Sequence, residues 1–196
     1  MIQPESSRQA RENRQGDVLD AAAALFSKKG YEGTSVRDIA AASGMLAGSI
    51  YCHFSSKEDV FLSVQREGIR QLTDAVQASI DGIGDPWLRL RAACAAHTRV
   101  LLDESNFAAV LLHVTPSRNL AVWDQLVVLR DEYESLFRQL VDDLPLPVGT
   151  QRKYLRLAIL GALNWSHHWY RPGRDNPADI ADQIVRLFEI QLRQPS

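Results

Sequence analysis

Two stretches of this 196-residue chain hold side chains whose types and spacing could do chemistry. The first is Asn164-Trp-Ser-His-His-Trp-Tyr-Arg-Pro-Gly-Arg174. On a helix, Trp165 and Trp169 stand at i and i+4 with His168 between them, and Arg171 and Arg174 follow, so a stacking surface lies beside cationic groups. The same tryptophans fit a core or an interface equally well. The second stretch is Thr34 to Lys57. Thr34 or Ser35 can cap a helix, Asp38 three residues after Ser35 has capping-box spacing, and Val36, Ile39 and Ala40 form one apolar face. Gly44 ends that helix, because glycine enters the left-handed region without a Cβ penalty, and a second short helix runs through Ala47, Ser49, Ile50 and Tyr51. The pattern is a helix-turn-helix, whose second helix enters the DNA major groove.

Two smaller sets carry less. His97 follows Cys94 by three residues, a spacing that can hold a metal, but the sequence places no carboxylate or second pair with them, and a satisfied core histidine is the preferred reading. Cys52 adjoins His53 without a neighbouring lysine or arginine, so a redox-switch role has little to support it in the sequence. No metal and no cofactor are expected.

The elements that must position these residues are helical throughout. No useful period-two segment appears, so the expected fold is all-α with about nine helices. A polar arm over residues 1 to about 8, containing Pro4, precedes a helix from about Gln9 to Lys29 with Val18, Ala22, Leu25 and Phe26 inward, and Gly30 stops it. Val36, Ile39, Met45, Ile50 and Phe54 are read as core. Ser56 caps a fourth helix reaching about Asp81; roughly 25 residues span about 38 Å at the helical rise, long enough to link a DNA-binding head with a separate body. Asp85 and Pro86 start the next helix, which runs to about Glu104. An apolar segment near Phe107 to His113 follows, then a break at Thr115-Pro-Ser117 and a helix striped by Val122, Leu126, Leu129, Tyr133, Phe137 and Leu140. Leu144-Pro-Leu-Pro147 ends it. Thr150 to about Tyr170 is helical, with Ala158, Gly161 and Ala162 allowing close approach, and Asn176 caps the last helix.

Composition narrows the classes. The formal net charge of −2 rules out a globally basic binder, yet residues 1–57 carry +1 and the remainder −3. Two cysteines suggest no disulfide framework. No run approaches 18 apolar residues and no signal-peptide core is present, so a cytoplasmic protein without membrane association is expected. No Glu-x-x-His pair, His-Glu-x-x-His, Gly-x-Ser-x-Gly or phosphate-binding Gly-x-x-x-x-Gly-Lys occurs, which argues against an enzyme. A helical partner-binding protein without DNA contact is the remaining alternative.

The ordered run Gly30-Tyr-Glu-Gly-Thr-Ser-Val-Arg-Asp-Ile-Ala, Ser43-Gly, Gly48-Ser-Ile-Tyr, His53-Phe and Ser56-Lys-Glu resembles the tetracycline-repressor (TetR) family. The resemblance implies an N-terminal DNA-binding domain, residues 1–56, and a ligand-binding and dimerisation domain, residues 57–196. It places Thr34, Tyr51, His53 and Lys57 toward phosphates and Arg37, Ala47, Gly48 and Ser49 closest to bases, with Ser35 and Leu46 flanking them and Arg14 among the arginines near the N-terminus that could touch DNA. Leu46 and Ala47 depart from the family's polar residues, so readout falls to methyl contacts, Arg37 and DNA shape. The last two helices match the pair through which such proteins form a homodimer that reads a palindromic operator. The Trp-Tyr-Arg-Pro-Gly ending resembles repressors of fatty-acid and sterol catabolism, whose inducers are acyl-coenzyme A thioesters. On that resemblance His97, Tyr133, Trp165, His168, Trp169, Arg171 and Arg174 are the candidate ligand residues for a small hydrophobic or acyl-CoA molecule.

Overall fold

The computed structural model describes residues 4–103, 105–113 and 122–193; the break read at Thr115-Pro116-Ser117 lies outside them. Among the described residues the chain is all-α: α1 Pro4–Lys29, α2 Val36–Ala42, α3 Ala47–Ile50, α4 Lys57–Ile80, α5 Pro86–Leu101, α6 Asn106–His113, α7 Trp123–Asp142, α8 Arg152–Trp165 and α9 Pro177–Leu192, with a 3-10 turn, Ser166–His168, directly after α8.

The starts and stops follow local chemistry. Ser35 Oγ accepts from the Asp38 backbone N–H at 3.1 Å while the Asp38 carboxylate accepts from the Ser35 N–H at 2.9 Å, a closed capping box. These Ser35 hydrogen bonds hold the Asp38 carboxyl below its ordinary pKa. After α2, Gly44 takes φ 67°. Met45 N–H returns to Ala40 O and Gly44 N–H to Ala41 O, the paired bonds of a Schellman stop. Asp85 Oδ1 receives the Leu88 N–H at 2.8 Å and Asn176 Oδ1 the Ala178 N–H at 2.9 Å, each followed by a proline in the first helical turn. At the start of α4, Ser56 Oγ accepts from the Asp59 N–H, and the Asp59 carboxylate reaches back to the Ser55 N–H rather than to that of Ser56.

Three boundaries differ from the sequence reading. α1 begins at Pro4 instead of after an eight-residue arm, because proline at a first helical position gives up only an N–H that has no intrahelical acceptor. α5 ends at Leu101, three residues early. α8 ends at Trp165 and not near Tyr170: Ser166 Oγ bonds Leu163 O at 2.6 Å, a local bond that competes with the helical ladder, and the chain tightens into the 3-10 turn.

The chain divides into two compact units, Met1–Gly68 with Glu104–Val128 and Ile69–Asp103 with Leu129–Ser196. In the first, Val18, Phe26, Tyr31, Ile39, Ile50, Phe54, Phe61 and Val110 make one buried cluster, with Val36 and Met45 packed against it. Phe26 and Phe61 meet edge to face at 5.2 Å, and Tyr31 stacks on Phe26 at 5.8 Å. α4 passes α6 closely at Gly68, where a Cβ would lie 2.9 Å from Leu111 Cδ1. In the second unit α5 and α8 pack on α9 around Trp87, Leu90, Cys94, Leu163 and Val185. Arg91 of α5 pairs with Asp182 and Glu189 of α9.

Candidate DNA-reading surface and ligand-facing residues

In the first unit the apolar residues of α2 and α3 turn inward, Ile39 and Ile50 being fully buried, which fixes the opposite faces outward. Arg37, Leu46, Gly48 and Tyr51 are exposed there, Leu46 at 79% and Tyr51 at 58%. Ala47 and Ser49 are half-buried, and Ala47 leans on the core cluster. Ser35 and Arg14 are also exposed, and His53 is half-buried.

Two of the residues assigned to phosphate have other duties. Thr34 is 2% exposed and its hydroxyl donates to Gly30 O at 2.9 Å, so this side chain secures the turn between α1 and α2 and does not project as a surface donor. Lys57 Nζ donates to Tyr31 O at 3.1 Å and sits 4.0 Å above the Tyr31 ring. An ammonium has three N–H groups, so a phosphate contact remains open to it, now from a fixed position. Tyr31, which the sequence reading did not single out, holds it there, and its own hydroxyl donates to Glu58 Oε1 at 3.0 Å. Burial, then the Glu58 bond, push the Tyr31 hydroxyl pKa up.

In the second unit the seven candidate ligand residues separate. His97 and Tyr133 meet in the interior: His97 Nδ1 is 2.6 Å from the Tyr133 hydroxyl and Nε2 is 3.0 Å from Asn164 Oδ1. A carbonyl oxygen only accepts, so Nε2–H donates to Asn164 and Nδ1 accepts from Tyr133. The ring also stacks on Tyr133 and meets Phe137 edge to face. Desolvation pushes the His97 pKa down to about 4, against the Asn164 hydrogen bond, so the imidazole is neutral. Burial likewise raises Tyr133 and Cys94. Asn164, the third member, was read only as part of the aromatic stretch. No group of three or more His, Cys, Asp or Glu is placed to hold a metal among the described residues.

Trp165, His168, Trp169, Arg171 and Arg174 lie at the surface. Trp165 is 61% and Trp169 47% exposed. They do not share a continuous α-helical face, because the 3-10 turn intervenes; instead Trp165 stacks on His168 at 3.8 Å and 21°. Trp165 ends an exposed stripe on α8 that includes Tyr154, Leu157 and Gly161, and Leu187 and Ile190 stand exposed on α9. Among the described residues no helix is long and apolar enough to cross a membrane.

Known proteins are similar to this chain over most of its length. The HTH-type transcriptional repressor KstR2 of Mycobacterium tuberculosis (strain ATCC 25618 / H37Rv) is 29% identical over 170 residues, covering 82% of this chain and 83% of its own. Among solved structures, the superantigen PfiT superposes with a TM-score of 0.77 at 28% identity over 90% of this chain and 96% of that one. AibR in complex with isovaleryl coenzyme A and operator DNA superposes at 0.74 and 24% identity, over 89% and 97%. Residues 18–64 match the bacterial regulatory proteins of the tetR family, and residues 84–190 match the tetracyclin repressor-like C-terminal domain. The chain therefore belongs to the TetR family of DNA-binding regulatory proteins.

Proposed function

We propose that the protein is a ligand-responsive repressor that binds a palindromic operator as a homodimer and is released by an acyl-coenzyme A thioester. The observation that carries the reading is the outward face of α2 and α3: the core withdraws Ile39, Ile50 and Phe54, leaving Arg37, Gly48 and Tyr51 exposed on one helix-turn-helix with Lys57 held beside it. Tyr51, His53 and Lys57 fix the register on phosphates, Arg37, Ala47, Gly48 and Ser49 face the bases, and Ser35, Leu46 and Arg14 border them. KstR2 is a repressor by name, and AibR was crystallised with both an acyl-CoA and operator DNA, which supports the two halves of the reading.

Residues 1–56 serve as reader and 57–196 as sensor and dimerisation domain. The exposed Tyr154, Leu157, Leu187 and Ile190 of α8 and α9 form the face on which a second copy packs, since that many large apolar side chains in water favour burial. Two heads on a two-fold axis then read half-sites about 34 Å apart, or a multiple. Trp165, His168, Trp169, Arg171 and Arg174 supply stacking and charge for the nucleotide end of the ligand, and the neutral His97 with Tyr133 supplies the polar interior. Release follows if ligand has higher affinity for the form that does not fit the operator.

A gel shift on the protein's own upstream region, with and without long-chain or steroid-derived acyl-CoA, tests both halves. A shifted band that free thioester abolishes is the expected result. No shift without ligand removes the repressor reading; a shift indifferent to every thioester removes the ligand class and leaves DNA binding standing.

A further inference from the structure

The second unit contains a cationic depression of about 350 Å³ lined by Arg138, Val141 and Asp142 of α7 and Arg152, Lys153 and Arg156 of α8. Four cations against one carboxylate is an unusual lining in a chain of net charge −2. The individual bonds show which charges are already balanced. Arg156, 8% exposed, donates to Glu134 Oε2 at 2.8 Å. Arg152 spends two N–H groups on the carbonyls of Val141 and Leu144 at the end of α7 and meets no carboxylate among the described residues. Arg138 has no hydrogen-bond or ion-pair partner among them, and Lys153 only leans toward the Tyr154 ring at 6.0 Å.

The placement runs against helix electrostatics. A helix N-terminus carries partial positive charge and favours acidic residues, yet the first turn of the 14-residue α8 has none, holds Arg152 and Lys153, and receives no side-chain cap from Gln151. Like charge gathered at that end costs free energy in the free protein and is offset when an anion enters. The guanidinium forks match phosphate oxygens in pairs, and the volume lies near the small end of ligand pockets. A single monovalent anion would leave much of this charge uncompensated; a diphosphate would not.

We propose that the α7–α8 depression binds a diphosphate-bearing small molecule, held by Arg138 and Lys153 together with the remaining N–H groups of Arg152 and Arg156. Asp142 on the rim sets a minimum: the ligand must bring enough negative charge to outweigh it. The site is distinct from the Trp165–Arg174 surface and does not depend on the operator or thioester reading.

The test is isothermal titration and thermal melting of the full chain with inorganic pyrophosphate and with ADP, at constant ionic strength, against sodium sulfate as control. Saturable binding of both diphosphates and an upward shift in Tm are expected, with sulfate at least ten-fold weaker. The pair Arg138→Gln and Lys153→Gln, both at exposed positions, should reduce that affinity ten-fold or more while leaving the ligand-free Tm within about a degree. Equal binding of sulfate, or unchanged pyrophosphate affinity in the double variant, overturns the proposal, as does the absence of saturable binding to the wild type. If ADP binds and pyrophosphate does not, the diphosphate is not what the depression recognises and the assignment fails.

Discussion

Among the described residues of the first unit, the side chains withdrawn from water, Val18, Phe26, Ile39, Phe54 and Phe61 among them, are hydrocarbon apart from the hydroxyls of Tyr31 and Thr34. In the second, His97, Tyr133, Arg156 and Glu189 go in alongside Trp87, Leu90 and Leu163. The difference teaches what each interior is for. A dry aromatic core has one low-energy packing, and it holds α2 and α3 at a fixed angle to whatever they read. A polar core loses free energy wherever a buried donor lacks its acceptor, as Trp87 Nε1 does among the described residues, so it responds when a proton or a ligand changes those pairings.

Removing an aromatic from the first core should be the most damaging test of this contrast. Phe61→Ala, at a fully buried position, is expected to cost about 3–5 kcal/mol, read as a lower denaturant midpoint with loss of operator binding. A loss below about 1 kcal/mol would mean that the aromatic cluster is not what stabilises the reader. For the second core the corresponding lever is pH. Because His97 titrates near 4 when folded and near 6.5 when unfolded, the unfolded chain binds the proton first as pH falls. Stability from this group is fully present above about pH 6.5 and declines toward pH 4, by up to about 3 kcal/mol for a shift of this size. His97→Gln should flatten that part of the stability-versus-pH curve; an unchanged slope between pH 6.5 and 4 would show that another group carries it.

The smaller tests separate folding from reading. Ser35→Ala opens the capping box and should cost about 1 kcal/mol, with the helix-turn-helix losing amide protection around Val36 to Asp38. Tyr51→Phe removes one exposed hydroxyl, so Tm should not move while operator affinity falls several-fold, about 1 kcal/mol for one hydrogen bond. A fall in Tm instead would make Tyr51 a packing residue.

What could be read in the sequence was local. The Ser35–Asp38 box, the Gly44 stop, and Asp85 and Asn176 before their prolines each act within four residues, so spacing alone places them. The end of α8 was illegible because Trp165 and Trp169 keep i, i+4 spacing across it, while a single serine hydroxyl bonding three residues back redirects the chain. The His97–Tyr133–Asn164 set joins residues 36 and 67 positions apart, and only the packing of the second unit brings them together. Arg138 and Lys153 carry no local signal, since only the turn between α7 and α8 brings them to one depression.

The exposure of Trp165 and Trp169 has an optical consequence. Trp87 is 1% exposed, whereas about half of each of those two side chains faces water. Trp87 therefore gives a blue-shifted, quencher-shielded emission that reports whether the second unit is folded, Trp165 and Trp169 give an iodide-accessible emission that reports whether anything covers the end of α8, and the half-buried Trp123 contributes between them. The His168 ring, stacked 3.8 Å from Trp165, lies in that same exposed patch. Assembly and ligand capture can thus be followed in the unlabelled chain.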